Sequence, residues 1–196
     1  MKKNLFKQIL IRTLTSLIFL FTFVAFLRGI NVGGRTVVKE QLKDLFASLG
    51  FQNISTYKQS GNVIFETDIE NPQKIKVEVE TKLRITLNYE VKVFLRTIAQ
   101  LENIIDLNPF KGQNTEGTSF LVTFLPVAFS SNPLRLPLTI PKSTAQVISA
   151  NDTEVFSVTH GGGEGALPNP FLESKMKVKT TTRNLNIVRE IIKRYS

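Results

Sequence analysis

Residues 52–67, QNISTYKQSGNVIFET, decide which kind of sheet this chain of 196 residues can build. The stretches 52–58 and 62–67 have the composition of strands, and Ser60-Gly61 between them is a hairpin signal. A hairpin joins antiparallel strands, whereas parallel strands need a long crossover connection. The segment therefore predicts an antiparallel sheet and argues against the parallel core of a nucleotide-hydrolysing enzyme.

Predicted elements on either side of this hairpin complete a compact module. Before it, residues 23–30 form a buried strand, and Thr36 is predicted to cap the helix that follows. After it, Asn71-Pro72 begins a second helix, and residues 90–96 alternate like a half-buried strand. The order is βαββαβ, which compact chains realise as a ferredoxin-like sandwich with helices on one face of the sheet.

The second half of the chain predicts a smaller unit. Thr97 and Gln100 have the spacing of a capping box that starts a third helix, and the polar residues 111–117 are predicted to be a linker. Further strands and a glycine loop follow, and a last helix is predicted over residues 182–195. We therefore expect an α+β protein in which a ferredoxin-like module precedes a smaller, plait-like α+β module.

The N-terminus is predicted to lie outside both modules. Its uncharged stretch, residues 13–27, is shorter than the roughly 20 residues that span a bilayer, and no small-residue cleavage site follows it. An appended extension, an uncleaved membrane anchor and a signal peptide all stay open. We expect a cytoplasmic protein, with membrane anchoring as the alternative. The predicted domains are a hydrophobic extension over residues 1–21, the ferredoxin-like module over 22–110 and the C-terminal module over 111–196.

The composition excludes several kinds of site. The chain has no cysteine, which excludes disulfides and thiolate chemistry, and His160 is its only histidine. A zinc site or a Ser-His-Asp triad would depend on that single imidazole, and we predict neither a cofactor nor a metal. The net charge is +9, but residues 1–39 contain basic and no acidic side chains. The charge is thus concentrated at the N-terminus and does not by itself indicate nucleic-acid binding.

The loop after the first strand, Gly29-Ile30-Asn31-Val32-Gly33-Gly34-Arg35-Thr36, has the strongest local signal. It matches the GxxxxG-K-[ST] pattern of phosphate-binding loops, except that Arg35 replaces the lysine. Backbone N–H groups at the start of a helix can bind a phosphate. The alternatives are an anion-binding loop without hydrolysis and a tight turn that needs glycine at positive φ.

A second candidate segment is Thr181-Thr182-Arg183-Asn184, predicted at the start of the last helix. Its hydroxyl, guanidinium and amide groups can bind an anion or a carboxylate at a helix N-terminus. In the alternative interpretation, the segment caps the helix and Arg183 pairs with an acidic side chain of the fold.

Three stretches together resemble family 1697 of the domains of unknown function. They are residues 23–34 (FVAFLRGINVGG), 56–65 (TYKQSGNVIF) and 181–188 (TTRNLNIV). The chain departs from the family at Leu185, where the family usually has Trp, and at Ile187, where it usually has Thr. The resemblance implies a two-part α+β fold and a cytoplasmic bacterial protein, and it implies no activity.

The leading hypothesis is a protein that binds a small anionic or phosphate-bearing ligand between the loop after the first strand and the start of the last helix. A nucleic-acid-associated protein, an enzyme acting on a phosphorylated metabolite, and a structural or partner-binding module are the alternatives. No carboxylate pair stands out as acid and base, which argues against an enzyme. A membrane is a partner only if residues 1–27 act as an anchor. The candidate ligand-binding residues are Arg28, Gly29, Asn31, Gly33, Gly34, Arg35, Ser60, Asn62, Thr181, Thr182, Arg183 and Asn184.

Overall fold

The computed structural model describes residues 20–58, 61–126, 134–160 and 167–195. These residues form nine strands and five helices. In chain order they are β1 (Phe21–Arg28), α1 (Lys39–Ala47), β2 (Gln52–Thr56), β3 (Asn62–Thr67), α2 (Pro72–Leu87), β4 (Lys92–Thr97), α3 (Ile98–Asp106), β5 (Thr118–Phe124), β6 (Leu138–Thr139), β7 (Ala145–Ala150), β8 (Glu154–His160), α4 (Asn169–Met176), β9 (Thr181–Asn184) and α5 (Leu185–Tyr195).

The first half of the chain has the predicted βαββαβ order. Its four strands form one antiparallel sheet in the order β2-β3-β1-β4. The side chain of Asn71 accepts hydrogen bonds from the backbone N–H groups of Gln73 and Lys74, which confirms the predicted start of α2. Helices α1 and α2 pack through their apolar stripes on one face of the sheet. The buried helix residues in this first core are Leu42, Leu45, Phe46, Ile75, Val79 and Leu83.

The start of α1 differs from the prediction. The N-cap residue is Val38, whose side chain makes no capping hydrogen bond, and Thr36 lies exposed before it. Two glycines at positive φ, Gly33 (62°) and Gly34 (77°), turn the chain before the helix can begin. The side chain of Asn31 accepts a hydrogen bond from the Val37 N–H at 2.8 Å and closes the loop. The prediction that Thr36 caps the helix was therefore wrong.

The second half of the chain forms a five-stranded antiparallel sheet in the order β6-β7-β8-β5-β9. Helix α4 packs on one face of this sheet through Leu172 and Met176. The last helix begins at Leu185 and not at residue 182, because residues 181–184 pair with β5 as a strand. The capping box that starts α3, formed by Thr97 and Gln100, is as predicted.

A second core lies between the two sheets. The rings of Phe26 on β1 and Phe124 on β5 stack with their centroids 4.2 Å apart. Helices α3 and α5 complete this core. Because the second sheet covers the far face of the first, β4 is buried on both faces, and the prediction of a half-buried strand over residues 90–96 was wrong. The division at residue 110 stays a prediction, since both halves contribute to this core.

The buried residue Arg96 ties the two sheets together. Its Nε donates to Glu154 Oε1 at 2.7 Å, and the exposed fractions of the two side chains are 2% and 6%. Its other nitrogens donate to the backbone oxygens of Leu95, Leu125 and Thr153. An ion pair thus connects β4 of the first sheet with β8 of the second.

Among the residues that the structure describes, no helix is long and apolar enough to cross a membrane. Residues 1–19, which include most of the predicted extension, lie outside that part of the chain.

Candidate functional site

A cavity of about 650 Å³ lies where the loop after β1, the β2–β3 hairpin and the start of α5 meet. It is larger than the cavity beside Arg96 and the groove between α3 and α5, which are about 300 and 340 Å³. We call it the Arg183 cavity. Its described lining residues are Gly29, Ile30, Asn31, Val32, Lys58, Gly61, Asn62, Leu167, Arg183 and Ile187.

The Arg183 side chain joins β9 to the first sheet. A guanidinium group has five N–H donors, and here all five donate to neutral oxygens. The acceptors are Asn62 Oδ1 (2.7 Å), Thr181 Oγ1 (2.8 Å), Thr182 O (2.9 Å), Leu27 O (3.0 Å) and Gly61 O (2.8 Å). The guanidinium carbon also lies 5.4 Å from the centroid of the Phe26 ring. The group is therefore fixed in position.

The positive charge of Arg183 has no carboxylate partner among the described residues. Burial lowers the pKa of the guanidinium from its ordinary value to about 10. A basic group is charged below its pKa, so Arg183 remains protonated at neutral pH. None of the described residues that line the cavity is acidic.

Two residues of the hairpin support the guanidinium. The side chain of Asn62 is oriented by its Nδ2, which donates to the backbone oxygen of Tyr57 at 3.1 Å, so that Oδ1 faces Arg183. At Gly61, a Cβ would lie 3.3 Å from Arg183 Nη2. A side chain there would press on the guanidinium, and this close approach explains the glycine.

A second cation, Lys58, lines the same cavity. Lys58 is exposed and its backbone is left-handed, with φ at 55°. Its Nζ lies 5.6 Å from the centroid of the Tyr57 ring. An ammonium group has three donors and no acceptor, so it can bind an anion in the cavity directly.

Part of the Arg183 cavity lies in a stretch of the chain that matches a known protein family. The family model described as "Protein of unknown function (DUF1697)" matches residues 20–156, well over half of the chain. The chain belongs to this family. The match includes β1, the loop after it, Lys58 and Asn62, and it ends before Arg183. No curated protein matches the sequence.

A solved structure with a similar fold covers nearly the full length of this DUF1697 chain. It is the conserved bacterial protein SP0830 from Streptococcus pneumoniae, with a TM-score of 0.61 and 18% sequence identity. The alignment covers 89% of this chain and 98% of that one. At this identity the likeness shows a shared fold and nothing about a ligand.

The Arg183 cavity brings together four of the candidate residues predicted from the sequence of this DUF1697 protein: Gly29, Asn31, Asn62 and Arg183. The sequence-based candidates do not include the other six lining residues, which are Ile30, Val32, Lys58, Gly61, Leu167 and Ile187. Lys58 could have been found, because it lies in the hairpin that already contained Ser60 and Asn62. Ser60 itself lies outside the described residues, as does the glycine loop at 161–166.

Arg28 and Arg35 are held away from the cavity by other contacts. Arg28 forms an ion pair with Glu173 on α4 at 2.8 Å and donates to Thr180 O. The guanidinium carbon of Arg35 lies 4.3 Å from the centroid of the Tyr89 ring. Gly33 and Gly34 line no described cavity, and their positive φ serves the turn before α1.

The other residues of the 181–184 segment have structural contacts. Thr181 and Thr182 are buried, and Thr182 Oγ1 lies 2.8 Å from Thr123 Oγ1 on β5. Asn184 Oδ1 accepts a hydrogen bond from the Asn186 N–H at the start of α5. Within the 181–184 segment, Asn184 is therefore the residue that caps α5. Arg183 pairs with neutral oxygens, and the expected acidic partner was wrong.

The part of the chain that is described contains no group of three or more metal-ligating side chains. The ring nitrogen Nδ1 of His160 lies 3.0 Å from Thr118 Oγ1 at the ends of β8 and β5. This pair holds neighbouring strand ends together and contributes nothing to the Arg183 cavity.

Proposed function

We propose that this protein binds a small anion in the Arg183 cavity. The observation that carries the proposal is the position of the Arg183 guanidinium, which is protonated and half-buried. It lines a large cavity, and none of the described residues that line this cavity has a carboxylate. A charge that is removed from water without a partner is unfavourable, and an anion in the cavity would supply the missing countercharge.

The other arginines that connect distant parts of this fold support the proposal. Arg96 is paired with Glu154, and Arg28 is paired with Glu173. Arg183 makes comparable long-range contacts but lies next to open volume instead of a carboxylate. Since its five donors are already used, it would attract the ligand through its charge, while Lys58 Nζ would donate directly.

The first test is calorimetric titration with sodium sulfate of the wild-type protein and the variant Lys58→Gln, at constant ionic strength. Removing one exposed charge near a bound anion weakens binding by about three- to fivefold. In a thermal-shift assay, sulfate at 100 times its Kd should stabilise the wild-type protein by about 2.7 kcal/mol.

Lys142→Gln is the matched control. Lys142 is also an exposed lysine with left-handed backbone, with φ at 58°, and it does not line the cavity. We expect it to leave sulfate binding unchanged. Equal losses in Lys58→Gln and Lys142→Gln, or no sulfate binding to the wild-type protein, would contradict the proposal.

The pH dependence of sulfate binding is a separate prediction. Because the pKa of Arg183 is about 10, its charge is constant from pH 6 to 8, and the charge of sulfate is constant there too. The Kd should therefore be flat over that range and rise only as the pH approaches 10. A Kd that rises severalfold between pH 6 and 8 would show that another group supplies the positive charge.

A further inference from the structure

We infer that the natural ligand of the Arg183 cavity is an amphiphilic organic anion, with one charged group and an aliphatic body. This inference rests on the proposed function and adds the chemical class of the ligand to it. Three features support it: the volume of the cavity, the aliphatic side chains around it and the way in which the donors of Arg183 are used.

The volume is too large for a bare oxyanion. At about 30 Å³ for each water molecule, a cavity of about 650 Å³ has room for roughly twenty waters. A sulfate or phosphate ion would leave most of that space filled with solvent. Cavities of this size in proteins usually hold organic molecules.

Four aliphatic side chains line the cavity: Ile30, Val32, Leu167 and Ile187. Val32 and Leu167 are 53% and 56% exposed, and they are among the few large apolar side chains that the described residues leave open to solvent. Covering such surface with hydrocarbon is favourable in proportion to the area removed from water. The cavity thus offers an apolar wall beside its positive charge.

The donors of Arg183 point to the same class of ligand. A site built for a strongly hydrated inorganic anion presents several free N–H donors, often a bidentate arginine. Here the five donors of Arg183 are used within the fold, so the anionic group is bound mainly by charge and by Lys58. Contacts with the aliphatic wall then have to supply much of the binding energy.

The other two large openings lack this combination. The cavity beside Arg96 contains Glu154, which already neutralises the arginine. The groove between α3 and α5 is apolar, but its rim has Glu102 and Asp106 as well as Arg189 and Lys193, so its charges balance.

The test is a chain-length series titrated into the intact protein by calorimetry: inorganic, methyl, butyl and hexyl sulfate, with hexanol as the neutral analogue. We expect one site, with a Kd that falls about two- to fourfold for each added methylene until the aliphatic wall is covered. Hexanol should bind far more weakly than hexyl sulfate, because it lacks the anionic group.

Two valine variants locate the effect. Val32→Ser should reduce the gain in affinity for each added methylene of the alkyl sulfates. Val77→Ser is the matched control, since Val77 is also 53% exposed but lies on α2, away from the cavity. Lys58→Gln should weaken binding of the methyl, butyl and hexyl sulfates by the same factor, because each carries one negative charge, and it should leave hexanol binding unchanged.

The outcomes separate the two proposals. If sulfate binds and longer alkyl chains do not lower the Kd, the inference of an amphiphilic ligand is wrong, while the proposal of anion binding stands. If hexanol binds as well as hexyl sulfate, or if no sulfate in the series binds, anion binding fails as well. Several weak sites for each protein molecule, or equal effects of Val32→Ser and Val77→Ser, would show non-specific adsorption and overturn the inference.

Discussion

The variant Glu154→Gln is expected to lose about 3–5 kcal/mol of stability, because it leaves the Arg96 guanidinium buried without its countercharge. Arg96 is held by three backbone oxygens in addition to Glu154, so it cannot turn out to solvent without breaking those bonds as well. Glu154 Oε2 also accepts from Thr153 Oγ1 at 2.7 Å. Urea denaturation of the wild-type and variant proteins measures the loss.

The exposed ion pair between Lys92 and Glu90 is the control for this prediction. Its two atoms lie 3.3 Å apart, but the side chains are 41% and 71% exposed, so Glu90→Gln should change stability by less than about 0.5 kcal/mol. The double variant Arg96→Met with Glu154→Leu removes both buried charges and should recover part of the loss. The recovery is incomplete because the backbone oxygens of Leu95, Leu125 and Thr153 lose the donors of Arg96. A Glu154→Gln variant that is no less stable than Glu90→Gln would refute this account of the pair.

The second large effect is expected for Arg183→Lys, at about 3 kcal/mol. Lysine keeps the charge but has three donors on a flexible stem, and it cannot reproduce the five bonds of the fixed guanidinium. Asn62 Oδ1 and the Leu27 backbone oxygen would lose the donors of Arg183, and unsatisfied buried acceptors are costly. The midpoint of chemical denaturation is the measurement.

Arg189→Lys serves as its control. Arg189 is an exposed residue of α5, and the same exchange there should leave stability nearly unchanged. Because Arg183→Lys keeps a positive charge at the cavity, folded protein should retain sulfate binding within a few fold. Wild-type stability in Arg183→Lys would mean that the guanidinium does not hold β9 against the first sheet.

Local signals in the sequence were enough to predict the element order of the first half. Caps, glycines and the hairpin act within a few residues of one another, and the structure has a capping side chain at Asn71 and a capping box at Thr97. Two of the errors, the half-buried β4 and the helix start at residue 182, have a common cause in contacts between distant residues. Nothing near Arg96 in the sequence shows that a second sheet will cover it, and nothing near residue 182 shows that β5 will take it as a strand partner.

The candidate site could be predicted in part for the same reason. Asn31, Asn62 and Arg183 have hydrogen-bonding or charged groups in loops or at a predicted helix start, a pattern that suggests ligand binding. The structure places all three around one cavity. Leu167 and Ile187 carry no such signal, because an aliphatic side chain in a sequence looks the same in a core and on a cavity wall. Only the tertiary structure distinguishes the two.

The contacts of Arg183 also determine when the cavity can exist during protein synthesis. Domains generally fold from the N-terminus as the ribosome releases them, so β1, β3 and their helices can associate while the later part of the chain is still being made. The wall formed by Arg183 and Ile187 is missing until those residues have emerged and β9 has paired with β5. A nascent chain that already has the first sheet therefore cannot yet form the proposed anion site, because it still lacks Arg183 and Ile187.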